Sequence, residues 1–365
     1  MQLRILFYFG HPAQFQFARN AIKALKQKGH KVIILIKTKD VLERLLKDSG
    51  LEYHNILSEG RKDSRIGILW GLLKRDWRLY RFIRKQKKVD IMVGSDPSLA
   101  HVGKLMGIPV ITALEDDAEI IPQLVKITYP FTTHILVPNV CKVGEKYEKK
   151  KIGYDGFMKL GYLHPNQFTP EKSKAPDTSK PYILIRLAKL TAYHDEKIKG
   201  LDIAFIDRLI KILDNRFHLF INSEYPLPEN YEKYRLKTAP GDIHHVMYFS
   251  SLFISDSQSM SVEAAMLGIP SIRYSDFSGR ISVLEELEHK YKLTFGIKTT
   301  EPEKLFNKVE ELLKLEDLRN VFQERRQAML SDKIDVASFL VWFIENYPNS
   351  VNVMRDNPDY QYNFK

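Results

Sequence analysis

Dense apolar runs alternate with stretches of three-and-four spacing along the first 140 residues. That alternation predicts strands separated by helices. A strand at about 3–9 ends in Gly10-His11-Pro12-Ala13, and a helix follows at about 14–28, with Phe15, Ala18, Ile22 and Leu25 on one face. Gly29 stops it. The next run, Val32-Ile33-Ile34-Leu35-Ile36, is too short for a typical helix and rich in β-branched residues. Such a run fits a strand buried on both faces of a parallel sheet. Another helix is expected at about 40–48, and further strands at 89–94, 108–112 and 134–138. Strand–helix–strand repetition implies right-handed crossovers and a doubly wound α/β sheet.

Between His164 and Pro181 the periodicity fades and prolines accumulate, which marks an interdomain linker. A second alternating region predicts strands at 182–186, 217–222, 245–249, 251–255 and 270–273. Its helices are expected at about 200–213, 258–267, 280–289, 302–314, 316–330 and 334–346, before a polar, irregular tail. The expected organisation is therefore a domain over 1–163, a linker over 164–181, a second domain over 182–347 and a tail over 348–365. Two doubly wound domains imply a cleft. Ligands of such sheets sit beyond the carboxyl ends of the strands, so the loops after strands are where chemistry is expected.

Composition bounds the class. The 365 residues are 44% hydrophobic and 28% charged, which excludes a disordered or low-complexity chain. No apolar stretch reaches ~18 residues, and the N-terminus is too soon interrupted for a signal peptide. The single cysteine, Cys141, excludes an intrachain disulfide and a cysteine-cluster metal site, and points to a reducing cytoplasm. The net charge of +11 is local: between Arg61 and Lys88 eleven Lys/Arg stand against Asp63 and Asp76. A basic segment of this kind suits an anionic partner.

The most informative segment runs from Ile254-Ser255-Asp256-Ser257-Gln258-Ser259 through Glu263 to Leu267-Gly268-Ile269-Pro270. It places small polar residues at the start of a helix, where open amides and the dipole suit a phosphate. Glu263 lies one or two turns on, placed to accept hydrogen bonds from ribose hydroxyls. The same Asp and Ser also serve as ordinary helix caps. His11, at the end of the first strand, is either a base for an acceptor hydroxyl or a partner of neighbouring backbone. Asp96 and the Glu115-Asp116-Asp117 run follow strands as well. Facing one pocket, two carboxylates make a proton-transfer pair; otherwise they cap helix starts. Arg186 and Lys189, at the strand opening the second domain, are suited to neutralise a diphosphate, and Tyr193-His194-Asp195 follow nearby.

The Asp256–Pro270 segment resembles the nucleotide-sugar signature of GT-B-fold proteins, especially UDP-N-acetylglucosamine 2-epimerases. These carry Asp-Ser-Gly-Gly, a Glu six residues after the Ser and a Leu-Gly-x-Pro; Gln258 and Ser259 replace the two glycines. A closer resemblance, over almost the whole chain, is to the GT-B-like family called domain of unknown function 354. It rests on Gly10-His11-Pro12-Ala13, Gly161-Tyr162-Leu163-His164-Pro165-Asn166 and Asp256-Ser257-Gln258-Ser259-Met260. The resemblance implies a GT-B-like fold of two Rossmann-like domains. It also implies a nucleotide-sugar donor of the UDP-linked kind, with Ser257, Gln258 and Ser259 at the diphosphate and Glu263 at the ribose, and no metal or cofactor. By similarity, Asp96 and Glu115 fall near the catalytic carboxylates of the epimerases. The epimerase histidine motif is missing around Arg186. That departure favours a glycosyltransferase, acting on a polysaccharide or lipid-linked glycan, over a hydrolysing or simple 2-epimerase. A non-catalytic nucleotide-sugar binder is the remaining class.

In the basic segment Ile66, Leu69, Trp70, Leu73, Trp77 and Tyr80 form an apolar stripe beside Lys74, Arg78, Arg81, Lys85 and Lys88. Such a helix over about 65–88 either packs on the core or rests on an anionic membrane surface, placing the protein peripherally on the inner face. No nucleic-acid reader motif is present.

Overall fold

The computed structural model describes residues 2–37, 41–57, 65–86, 88–187, 201, 203–213, 215–223 and 226–365. The chain divides into two compact units: Met1–Gln167 with Lys333–Lys365, and Phe168–Asp332.

The first unit runs β1 (Arg4–Phe9), α1 (Pro12–Gln27), β2 (Lys31–Lys37), α2 (Leu42–Asp48), β3 (His54–Leu57), α3 (Arg65–Lys85), β4 (Ile91–Gly94), α4 (Pro97–Met106), β5 (Val110–Ala113), α5 (Pro122–Thr128), β6 (His134–Pro138), β7 (Lys151–Tyr154) and α6 (Leu160–Leu163). Its seven strands are parallel, in the order β3-β2-β1-β4-β5-β6-β7. The winding reverses between β1 and β4. Residues Ile5 to Phe9 are all buried, which is what a central parallel strand with helices on both faces requires.

The second unit runs β8 (Tyr182–Leu187), α7 (Ile203–Leu213), β9 (His218–Ser223), α8 (Ile243–Tyr248), β10 (Leu252–Ser255), α9 (Gln258–Met266), β11 (Ser271–Tyr274), α10 (Ser282–Glu285), β12 (Thr294–Ile297), α11 (Pro302–Leu313) and α12 (Leu318–Asp332). Its parallel strands are ordered β12-β11-β10-β8-β9, so the winding reverses between β8 and β10. The chain then returns to the first unit as α13 (Val336–Glu345) and α14 (Asn349–Asp356).

The structure corrects three expectations. Residues 245–249 lie mostly in helix α8 instead of a strand, because Ser250-Ser251 leaves no room for the crossover that two parallel strands require. The 334–346 helix belongs to the first unit, not the second: Ala337, Phe339, Leu340 and Phe343 of α13 are buried, and α13 packs on α1 and α6. The end of the chain is helical, not irregular, and is held by aromatic contacts, with the Trp342 and Tyr360 rings stacked at 4.8 Å.

One segment quoted for the family resemblance, that of Gly161, packs on α1. A Cβ on Gly161 would lie 2.6 Å from the Phe17 carbonyl oxygen, so only glycine lets α6 approach α1 this closely.

One histidine ties three helices together. His101 on α4 has Nδ1 2.9 Å from Asp76 Oδ2 on α3 and Nε2 2.7 Å from the Ile127 carbonyl on α5. Both partners are pure acceptors, so the ring satisfies them only with a proton on each nitrogen. Its pKa is raised, by the bond to Asp76 foremost and against the cost of burial. A raised histidine pKa contributes stability that is fully present below the ordinary value of about 6.5 and is lost as pH rises through the folded value. Thermal unfolding of the wild type against His101→Gln, followed from pH 5.5 to 8.5, is therefore expected to show an advantage for the wild type that shrinks as pH rises. A pH-independent difference would refute the doubly protonated ring.

Candidate functional site

In the second unit one register row crosses the sheet near its carboxyl edge: Asn222 of β9, Arg186 of β8, Ser255 of β10, Arg273 of β11 and Gly296 of β12. Lateral neighbours in a parallel sheet project to the same face, so this row puts two arginines either side of Ser255. They are not equivalent. The half-buried Arg186 donates through Nη1 to the Asn222 side-chain oxygen. Arg273 is 0% exposed, lies over bare Gly296, and has Glu288 Oε2 at 4.0 Å. Burial lowers its pKa. Of the two, only Arg186 is open to meet a ligand.

The chain then leaves β10 through Asp256 and Ser257 and enters α9. Ser257 has extended backbone angles and caps the helix: its Oγ accepts from the Met260 amide at 3.4 Å, and its own amide donates to Ser255 Oγ at 2.8 Å. The amides of Gln258 and Ser259 head the helix with no intrahelical acceptor. Gln258 Nε2 donates to Ser275 Oγ at 2.5 Å, which draws its side chain toward the loop after β11. Sequence reasoning left cap and phosphate cradle as alternatives; one hydroxyl serves the first while the amides keep the second available.

Glu263 is only 8% exposed, and His244 Nε2 on α8 lies 3.3 Å from its Oε2. His244 was not anticipated, because the expected strand over 245–249 hid the helix face carrying it. Its signal was a His pair, His244-His245, directly before an apolar run. His245 serves the fold: its Nδ1 accepts from the Glu171 amide at 3.0 Å.

In the first unit the β1/β4 reversal gathers a second polar group. His11 caps α1, with Nδ1 accepting from the Ala13 amide at 3.2 Å. Gln14 accepts from the Gly10 amide at 2.9 Å and donates to Ser95 Oγ. Asp96 caps α4 through the Ser98 amide at 3.0 Å; its other oxygen meets Lys37 Nζ at 3.4 Å, and Arg75 Nε lies 3.8 Å from the first. The Lys37 stem crosses Gly10 so closely that a Cβ there would lie 2.6 Å from its Cε. Neither Lys37 nor Arg75 was expected at the site. Lys37 was legible in principle, as the charged residue ending the β2 apolar run.

Glu115 is held by a different set of bonds. Its Oε2 accepts from the Met158 amide at 3.0 Å and its Oε1 from the Lys159 ammonium, with both side chains largely buried. Asp117 holds the Lys142 amide at 2.8 Å. The acidic run thus fastens the segments around Cys141 and Met158. Lys189 and the Tyr193-His194-Asp195 stretch lie outside the described residues. Among the described residues no three His, Cys, Asp or Glu side chains are placed to hold a metal ion.

With both sheets in view, the class follows: two doubly wound parallel α/β units of the GT-B-like kind. Residues 7–314 match the family described as "Protein of unknown function (DUF354)", and the chain belongs to that family. No curated protein matches. Among solved structures, the chain is similar to an S. aureus MnaA–UDP co-structure, at 15% identity over 96% of this chain and 98% of that one, with a TM-score of 0.71. It is also similar to the Neisseria meningitidis UDP-GlcNAc 2-epimerase bound to UDP-GlcNAc, at 14% identity, covering 94% and 99%, with a TM-score of 0.65. A spinosyn rhamnosyltransferase, SpnG, complexed with spinosyn aglycone, matches at 14% identity over 95% and 100%, with a TM-score of 0.61. At these identities the likeness establishes the fold.

The Glu115–Lys159 pair gives a direct test of its role. Lys159→Met strands a largely buried carboxylate and is expected to cost about 3 kcal/mol in urea unfolding. Adding Glu115→Leu should recover most of that loss. If the double variant is no more stable than the single, Glu115 is held by something other than this pair.

Proposed function

We propose that the chain is a glycosyltransferase that moves a sugar from a nucleotide donor, of the UDP type, to a glycan or lipid-linked acceptor. One observation carries the reading: at the β8/β10 reversal, Arg186 of β8 pairs with Ser255 of β10, and the turn and helix that follow β10 carry the open amides of α9 and the buried Glu263. Cationic and amide donors suit a diphosphate, and a carboxylate one to two turns along suits a pentose. UDP and UDP-GlcNAc in the similar structures support the donor class.

In this reading the amides of Gln258 and Ser259, with the Ser257 and Ser259 hydroxyls, hold the diphosphate. Arg186 offsets the charge that grows on it as the glycosidic bond breaks. Glu263, oriented by His244, binds the ribose. Lys189 is proposed to join Arg186.

The first unit takes the acceptor. His11 is the proposed base, because it is exposed while Asp96 and Glu115 already accept from cations and amides. To take a proton at Nδ1, the ring releases the Ala13 amide, an exposed bond worth about 1 kcal/mol. Asp96, held by Lys37, is proposed to line the acceptor position. The 2-epimerase alternative asks Asp96 and Glu115 to exchange protons with the sugar, and their existing partners oppose that. A peripheral position on the inner face of a membrane is proposed with a lipid-linked acceptor.

Titration calorimetry with UDP tests the donor site. Glu263→Ala is expected to weaken UDP by roughly 10- to 100-fold, from loss of about 1–3 kcal/mol of charged hydrogen bonding. His11→Ala should leave UDP affinity intact and abolish sugar transfer. Unchanged affinity in the Glu263 variant removes the ribose role. Release of a free 2-epimer from UDP-GlcNAc alone would instead identify a hydrolysing epimerase.

A further inference from the structure

Most of the large apolar side chains exposed among the described residues gather on one helical layer of the first unit. Trp70, at 68% exposure, Leu73 and Trp77, at 61%, run along α3 at three- and four-residue steps. Leu105, at 73%, lies on α4, Ile127 on α5, and Phe131 just beyond it. These helices are neighbours: α3 packs on α4 and α4 on α5. His101 on α4 bonds to Asp76 of α3 and to the Ile127 carbonyl of α5, and packs edge-on against the Phe131 ring at 4.7 Å.

The charge on this layer has one sign. Helices α3, α4 and α5 hold nine Lys/Arg against a single acid, Asp76. Asp76 is turned toward His101, whose doubly protonated ring offsets it. The exposed arc of α3 therefore reads Trp70, Leu73, Lys74, Trp77, Arg81, Arg84, Lys85, with no carboxylate in it. At its end lies a pocket of about 240 Å³ lined by Ile56, Arg78, Arg81, Phe82 and Lys85. Three cationic side chains against an apolar wall fit a phosphate headgroup with hydrocarbon attached.

We propose that the outer face of α3, α4 and α5 docks on an anionic lipid bilayer, with a lipid phosphate headgroup in the pocket of Arg78, Arg81 and Lys85. A bilayer presents anionic phosphates and, a few Å below, hydrocarbon; tryptophan favours that boundary. No helix among the described residues is long and apolar enough to cross a membrane, so this contact is a surface one. The proposal rests on the lipid-linked-acceptor reading for its purpose: it would bring the acceptor unit to where such an acceptor resides.

The test uses the full chain and sucrose-loaded vesicles. Sedimentation with phosphatidylglycerol/phosphatidylcholine vesicles at low salt is expected, with little on phosphatidylcholine alone. Salt at 0.5 M should weaken the binding at least tenfold by screening the headgroup contacts. Tryptophan emission should shift to the blue on binding. Trp70→Ser/Trp77→Ser and, separately, Arg81→Gln/Lys85→Gln should each reduce partitioning at least tenfold, while UDP affinity stays that of the wild type. Failure of the wild type to sediment with anionic vesicles overturns the proposal, as does undiminished binding by either double variant. Wild-type self-association that Trp70→Ser/Trp77→Ser abolishes would assign the face to a second copy of the chain and also overturns it. UDP calorimetry on the same preparation separates the two readings. Vesicle binding without UDP binding keeps the docking face and sinks the donor site, and the reverse result does the opposite.

Discussion

Parallel strand direction is the constraint on which the rest depends. When every strand in a sheet points the same way, every carboxyl end opens on the same edge, and the residues that follow the strands share a neighbourhood. Hydrophobic burial on both faces enforces this arrangement, since the crossover helices must cover both sides. In the second unit it sets Arg186, Ser255 and Arg273 abreast though they lie far apart in the chain. In the first it brings Gly10, Lys37 and Asp96 together from three different strand ends. Where the winding reverses, adjacent crossovers diverge to opposite faces and leave the edge uncovered. Both polar groups sit at such reversals.

Much of this was legible in the sequence because the informative signal is local. The run Val32–Ile36 cannot be an amphipathic helix, and Gly29 before it ends one. The Ser257-to-Glu263 spacing places the carboxylate within α9 whatever surrounds it. What was not legible depended on distant partners. The 245–249 run has strand composition, yet its neighbour β10 begins too soon for it to be a strand. The placement of α13 depends on the side it packs against, and a helix pattern records an apolar face without recording its partner. That Lys37 and Arg75 reach Asp96 depends on how β2 and α3 are placed relative to β4 and α4, which no single window of sequence contains. His244 was hidden by the same misread run.

The two arginines of the register row show how burial sorts chemically identical residues into different roles. Arg186 ends β8 beside Asn222, a neutral acceptor, and keeps part of its surface open. Arg273 is enclosed, with Glu288 at the limit of an ion pair. Burial raises the Glu288 pKa and lowers that of Arg273, so each charged form is disfavoured by its surroundings and relies on the other. The enclosed Arg273 is not open to an incoming ligand as Arg186 is. Sequence spacing alone gives Arg273 as good a claim on an anion as Arg186.

The same sorting bears on the carboxylates of the first unit. For two acids to act as a proton-transfer couple, each needs an oxygen that is not already neutralised, and the two must feel each other's charge. Asp96 gives one oxygen to the Ser98 amide and the other to Lys37; Glu115 gives one to the Met158 amide and the other to Lys159. Each carboxylate thus faces cations of its own, Lys37 and Arg75 at Asp96 and Lys159 at Glu115. That arrangement fits anchoring better than proton exchange at a sugar carbon. In the proposed reading base work falls to the exposed His11 at the head of α1, whose Nδ1 caps the helix. The proposed transfer asks for removal of an acceptor proton in one unit and support of a departing diphosphate in the other, a division that needs no shared acid pair.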